Sequence, residues 1–313
     1  MKTRIWSALF ALYIAWGTTY LAIRFANETI PPFFMTGMRF LIAGVVLYIW
    51  RRLAGDPAPT MREWRSAGII GSLLLVGGIG GVSLAEEYVP SGITALIVAA
   101  TPLWIVIIDA IRRGGKRPTR LTMAGVLVGL AGILILVDPF RSSGSQPGIS
   151  ILGVAIVLIA ALSWAIGSIY GRSAELPKSP LLGSGMELLA GSAGSFLVGL
   201  LMGEGRQLNV SAISIRSLAG LGYLIIVGSL VGYVCYTWLL RVAPTTQVVT
   251  YAYVNPLVAI ILGSVLAHEA LTPMVIIAIP LILSAVGMIH QREAKEKAMV
   301  KAPVAVRVRV GEE

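Results

Sequence analysis

The 313 residues carry 56% hydrophobic and 13% charged side chains at a net charge of +10, whereas a soluble domain is about 45–50% apolar and about 25% charged. Composition therefore excludes a soluble enzyme or binding module and indicates an all-α integral membrane protein. The single cysteine, Cys235, excludes an internal disulfide and a cysteine-based metal site.

Apolar windows long enough to cross about 30 Å of hydrocarbon fall near 5–23, 32–50, 66–85, 91–111, 121–137, 149–170, 181–203, 217–240, 245–267 and 272–290, so ten transmembrane helices are expected. The first begins after Lys2 and Arg4 like a signal peptide, but it is too long and carries Trp16, Thr18, Thr19 and Tyr20. It reads as a retained helix. Tyr13, Trp16, Gly17 and Tyr20 share one helical stripe. The second opens on Pro31-Pro32 and holds Arg39 inside its span. The third is rich in glycine (Gly77, Gly78, Gly80, Gly81), which lets a backbone or ligand come close. The fourth has Thr101-Pro102 at its middle, and the fifth presents Gly125, Gly129 and Gly132 as a small-residue packing face. The sixth carries Ser163, Trp164, Gly167 and Ser168, the seventh Glu187, and the eighth Ser229, Gly232, Tyr233 and Tyr236 on one stripe. In the ninth, Tyr251 and Asn255 lie one turn apart before Pro256; Thr272 and Pro273 cap and open the tenth.

The two halves repeat. At an offset of 154, Gly68, Gly78, Pro90, Pro102 and Leu103 fall on Gly222, Gly232, Pro244, Pro256 and Leu257; at 148, Trp16, Arg24, Gly37, Met38 and Leu41 fall on Trp164, Arg172, Gly185, Met186 and Leu189. Five spans per half is an odd number, so the second half enters from the opposite side: an inverted repeat of five-helix units over 5–138 and 149–291, with a basic tail over 292–313. Counted loop by loop, 20 Lys and Arg fall on one side and four on the other. The positive-inside rule then makes both termini cytoplasmic, and the basic balance is a topology signal rather than a nucleic-acid surface. The tail, with Arg307 and Arg309, reads as disordered.

The Trp-Gly-Thr-Thr-Tyr run of Trp16 to Tyr20, the Met-Arg-Phe of Met38 to Phe40, the proline in the fourth helix of each half and Glu269-Ala-Leu resemble the EamA family of the drug/metabolite transporter superfamily. The likeness covers about residues 5 to 290. It implies a solute carrier, commonly an exporter of amino acids or other small metabolites, and a cavity lined by the first, third, fourth, sixth, eighth and ninth helices, with the fifth and tenth peripheral. Where the family often has a small residue and Glu after the fourth helix, this chain has Arg112, Arg113, Gly114, Gly115 and Lys116, which puts a symmetric role for Glu269 in question.

Candidate solute-binding residues are Trp16, Tyr20, Arg39, Thr101, Trp164, Tyr236, Tyr251 and Asn255. Pro102 and Pro256 are candidate hinges, because proline removes a backbone hydrogen bond that in lipid must be replaced. Asn255 needs a hydrogen-bond partner at mid-span; Thr101 can bond its own helix. Arg39 can hold a carboxylate or snorkel. Glu187 is read as the only deep carboxylate and the candidate for proton coupling. Glu86, Glu87, His268 and Glu269 are placed at the outer face and read as solvated, and Asp109 is paired with Arg112 and Arg113. A lining of Trp, Tyr, Ser, Thr and Asn suits an amphipathic metabolite. The expected partners are that solute and membrane lipid, with no cofactor, no metal and no nucleic acid, in a monomer or homodimer of the cell membrane. Two competing classes are an integral membrane enzyme acting on a lipid-linked substrate and a channel. The enzyme would need a base or metal set, yet only His268 and His290 exist, without a His-Glu-x-x-His or Gly-x-Ser-x-Gly motif, and no ring of filter residues marks a channel.

Overall fold

The computed structural model describes residues 2–111, 120–137, 150–171, 173–243 and 251–301, and within them the chain is helical with no strand. The expected pairing of Asp109 with Arg112 and Arg113, the side chain of Tyr233 and the tail arginines lie outside what is described.

Among the described residues six helices are long and apolar enough to span a membrane, and four apolar helices are shorter. The first apolar stretch is α1 (Lys2–Gly17) followed by α2 (Thr19–Asn27), where the Thr18 and Thr19 hydroxyls turn back onto the Ile14 and Trp16 carbonyls. Next comes α3 (Pro32–Leu53), with proline in its first turn. The stretch from α4 (Met61–Ile70) to α5 (Gly81–Ala85) passes through a π-helical segment, Gly71–Gly80. Pro102 divides the next stretch into α6 (Ser91–Val98) and α7 (Thr101–Ile111). Single turns from Ala100 to Ile97 and from Leu103 to Ala100 bridge the break. Then come α8 (Arg120–Val137), α9 (Ile151–Gly171), α10 (Pro180–Leu201) and the short α11 (Glu204–Gln207). A second π-helical segment, Leu224–Val231, joins α12 (Ile215–Tyr223) to α13 (Gly232–Val242). The chain ends with α14 (Tyr251–Leu266) and α15 (Pro273–Lys301). Pro256 lies inside α14 without dividing it. The last helix runs to Lys301, past the point where a disordered tail was expected, because residues 292–301 are mostly Ala, Glu, Lys and Met, all strong helix formers.

Neighbouring helices approach closely at glycines. On α3 and α10, a Cβ at Gly44 would stand 3.0 Å from the Leu189 backbone nitrogen and one at Gly185 3.0 Å from that of Tyr48; Ser192 donates to the Gly37 carbonyl at 2.9 Å. Between helices in lipid, where no hydrophobic drive separates protein from tails, such contacts hold the bundle. The α8 glycines do the same, Gly132 meeting Ile282 of α15 and Gly129 meeting Leu103 and Ala285.

The two π-helical segments are alike in what they accept. In the first, the Leu73 carbonyl accepts from Ser163 Oγ of α9 at 2.7 Å; in the second, the Gly228 carbonyl accepts from Trp16 Nε1 of α1 at 3.1 Å. Trp164 lies against Gly78 and Trp16 against Gly232, pairs that the two sequence offsets superpose. Widening to i→i+5 bonds exposes carbonyls that a neighbouring side chain can reach, and such segments concentrate at functional sites.

Carboxylates from outside the spans hold helix ends. Glu204, 4% exposed, accepts from the backbone nitrogens of Phe33 and Phe34 at the start of α3 (3.1 and 2.9 Å). In the loop before α4, Asp56 holds Arg51 through two 2.9 Å bonds, and Ser179, the residue before α10, also favours its ionised form. The Arg51 and Ser179 donors hold the Asp56 carboxyl below its ordinary value. A lowered folded-state pKa means that this tie contributes fully above the usual aspartate value and is lost as pH falls through the depressed one. Asp56→Asn is therefore expected to lower the melting temperature in detergent at neutral pH and to converge on the wild type as the buffer is acidified below the carboxylate range.

Candidate functional site

Four of the residues singled out in the sequence meet between α1, α13 and α14. Trp16 packs on Tyr236 with ring centroids 5.1 Å apart and planes tilted by 42°, and edge-on against Tyr251 at 5.1 Å. Tyr236 and Tyr251 close the triangle at 6.1 Å. Such tilted and edge-on pairs place ring edges against π faces. The Asn255 side chain is 7% exposed, and the carbonyls of Tyr13 (3.3 Å) and Tyr251 (3.1 Å) around it assign the amide nitrogen, as donor to both, to that side. It therefore ties α14 to α1, which satisfies the partner that an amide at mid-span requires.

Gly228, in the second π-helical segment, is the junction on the other side of Trp16. Its carbonyl holds the indole, and a Cβ there would stand 2.9 Å from both an Arg39 guanidinium nitrogen and Thr19 Cγ2. Arg39 is 4% exposed, and its Nε donates to Ser229 Oγ at 2.9 Å. It therefore does not snorkel: α3 sends it inward to α13's approach, one residue from the indole's acceptor. Tyr20 lies one turn beyond Trp16, within electrostatic reach of both Tyr251 and Glu86.

Three expected residues stand apart. Thr101 donates to the Val98 carbonyl of its own chain segment at 2.5 Å, at the break above Pro102. Trp164 lies against Gly78 in the α9 contact with the first π-helical segment. Glu187 is half-buried on α10, where its backbone carbonyl meets Gly71.

The reading of the acidic residues needs correction. Glu187 is not the only deep carboxylate: Glu86 is 5% exposed and Glu204 4%. Nor is Glu269 solvated. Its side chain is 8% exposed and accepts from Ser91 N (2.8 Å), Ser91 Oγ (2.8 Å) and Gly92 N (3.0 Å), capping α6; Arg24 Nε stands 3.7 Å away. The chain reaches this position because His268 adopts a left-handed φ of 53° after the Gly263 carbonyl has taken the Ala267 and Glu269 amides, ending α14 and turning Glu269 back. A tertiary cap of this kind has no local sequence signature; only the exposed Glu87 and His268 match the solvated reading.

Multiple apolar helices with polar groups gathered inside the bundle define a multi-pass membrane protein. The sequence profile of the EamA-like transporter family matches residues 4–138 and 151–290, and the chain belongs to that family, within the drug/metabolite transporter superfamily. It is 37% identical over 287 residues to a protein of Escherichia coli (strain K12) named "uncharacterized inner membrane transporter YedA", covering 91% of this chain and 90% of that one. It is 24% identical over 298 residues to the "uncharacterized transporter YvbV" of Bacillus subtilis (strain 168), covering 95% of each. A solved structure titled "Crystal structure of protein" shares the fold at a TM-score of 0.59 and 22% identity, over 91% of this chain and 97% of that one. Family and relatives are transporters rather than enzymes.

Proposed function

We propose that the protein is a secondary carrier that exports small amphipathic metabolites, amino acids or related solutes, by alternating access of two inverted five-helix repeats in ten spans, with both termini in the cytoplasm. The observation that carries the reading is the cluster of Trp16, Tyr236 and Tyr251 over Asn255, joined to Arg39 through Gly228. It combines aromatic faces for an apolar body with an amide and a guanidinium for a polar end. The matched pairs Trp16 with Gly232 and Trp164 with Gly78, and the two π-helical segments, support the repeat. The charge asymmetry supports the orientation. In this reading Thr101 and Trp164 line the opposite wall, and Pro102 and Pro256 are the hinges.

The test is an untargeted comparison of metabolites inside and outside cells expressing the wild type, Asn255→Ala or Trp16→Phe, matched for membrane expression. Trp16→Phe keeps a ring but deletes the indole N–H that holds Gly228. One solute class is expected outside wild-type cells and to fall about tenfold or more in both variants, as the loss of about 1.4 kcal/mol of differential binding would give. A new modified product instead of a redistributed one would favour the membrane enzyme. Clean selectivity for an inorganic ion would overturn the amphipathic solute.

A further inference from the structure

One group of buried polar residues that the proposed cavity does not use gathers around Glu86. This residue directly follows α5 and is 5% exposed. Neither carboxylate oxygen has a hydrogen-bond partner among the described residues, and the same is true of Ser83 Oγ, Asn27 Oδ1 and Thr94 Oγ1. Ser83 lies three residues before Glu86, on the same helical face, and Asn27 Nδ2 donates to the Ser83 carbonyl at 2.8 Å, which brings the Asn27 amide to that face. A buried carboxylate without donors is expensive when ionised.

Two counts show what the cluster lacks. Beside three acceptors without a hydrogen-bond partner, Asn27 Oδ1 and both Glu86 oxygens, that face has the Ser83 hydroxyl as its one unpartnered donor among the described residues. In charge, Glu86 and Glu269 carry one negative charge each against the single positive charge of Arg24. One proton on Glu86 balances the charge and gives the cluster a second donor. The charged and titratable groups that act on Glu86 are Tyr20 and Arg24 from α2 and Glu269 from the turn after α14; Glu87 and Tyr88, next in the chain, are exposed. The neighbouring stretches 32–38, 71–80, 91–98 and 151–162 carry no titratable side chain.

We propose that Glu86, with Asn27 and Ser83 beside it, is the proton-carrying site of this carrier, and that its proton is the coupling ion. In the arrangement described here the carboxyl is a neutral acid; one proton from water on the Arg24 face adds to a carboxylate oxygen, and the same O–H bond breaks when the site reopens to water. Burial and the Glu269 carboxylate both push the Glu86 carboxyl well above the usual range, with Arg24 opposing them. The role of coupling ion rests on the carrier reading; the proton site does not.

The experiment is infrared difference spectroscopy of the full chain in phosphatidylcholine vesicles, following the C=O stretch of protonated carboxyl groups through a pH titration. With the carboxyl of α10 removed by Glu187→Gln, a carboxyl band that persists at pH values well above the ordinary glutamate value of about 4.3 is expected, and it is expected to vanish when Glu86→Gln is added to Glu187→Gln. Glu86→Asp, which keeps a carboxyl, is expected to retain a band. Arg24→Gln removes the charge that favours ionisation, so the midpoint is expected to move to higher pH. Absence of the band in Glu187→Gln at neutral pH, its survival when Glu86→Gln is added to Glu187→Gln, or its loss when sodium replaces potassium at fixed pH would each overturn the proton site. If the band behaves as stated but no solute redistributes in the metabolite comparison, the proton site stands and the carrier reading fails. If solute does redistribute, its dependence on the transmembrane pH gradient is expected to be lost in Glu86→Gln; a dependence that persists overturns Glu86 as the coupling site.

Discussion

Glu269→Ala is expected to destabilise the protein by about 3–5 kcal/mol, a large share of the roughly 5–15 kcal/mol that holds a typical fold. The carboxylate takes two backbone N–H groups and one hydroxyl at the start of α6, where the helix has no partners of its own for its first donors and its dipole favours negative charge. Ser91 is fully buried, and Gly92 packs against the Ile260 backbone, so that a Cβ there would stand 2.9 Å from Ile260 Cα. Removing the acceptor leaves two amides desolvated, each at a cost of about 1–3 kcal/mol. Glu269→Gln keeps one acceptor oxygen and loses about half as much. Arg24→Ala serves as the control: its side chain is 39% exposed and 3.7 Å from Glu269, and an ion pair of that kind contributes about 0–1 kcal/mol. Thermal unfolding in detergent distinguishes the three variants. A Glu269→Ala protein that melts with the Arg24→Ala protein would mean that water replaces the carboxylate at α6.

Gly71→Leu is expected to prevent the third apolar stretch from docking on α10. A Cβ at Gly71 would stand 2.5 Å from the Glu187 carbonyl oxygen and 2.9 Å from the Gly191 nitrogen. Both are backbone atoms of a helix that is itself packed on α3, so neither can give way as a flexible side chain would. Overpacking costs about 1–3 kcal/mol where side chains can adjust, and here the helices must separate. Gly68, one turn earlier, has nothing within 4 Å of its Cβ position. Gly68→Ala is therefore expected to be neutral or to stabilise by up to about 1 kcal/mol through helix propensity. Size-exclusion profiles and melting temperatures of the two variants, one turn apart in the same stretch, separate crowding from any general intolerance of the segment.

The carboxylate caps and the glycine contacts mark where reading the chain in order stops being informative. The Pro32 and Pro180 helix starts, the Thr272 cap, whose hydroxyl accepts from Val275 N at 3.4 Å, and the division at Pro102 all follow from residues within one turn of each other. So does the pairing of Tyr251 with Asn255, one turn apart on α14; the spacing that put Trp16 and Tyr20 on one stripe did not show that the chain divides between them, into α1 and α2. That Trp16 would meet Tyr236 and Tyr251, and that Arg39 would turn to Ser229, depended on which helices become neighbours. Glu86 shows the limit most clearly. Its position at a span end beside Glu87 suggests solvent, and Glu87 is indeed exposed, yet one residue earlier the helix face turns under α2 and the carboxylate is buried.

Hydropathy, proline placement and side-chain spacing by themselves determined an all-helical membrane protein, where its helices begin, and which side chains share a stripe, because transfer into lipid and backbone hydrogen bonding are decided locally along the chain. Tertiary structure alone decided which carboxylates are buried, with Glu204 and Glu269 spent on the amides of distant helices and Glu86 left without a hydrogen-bond partner among the described residues. The physical reason is that a charge's environment is set by the surfaces that close over it, and those surfaces come from helices far apart in sequence.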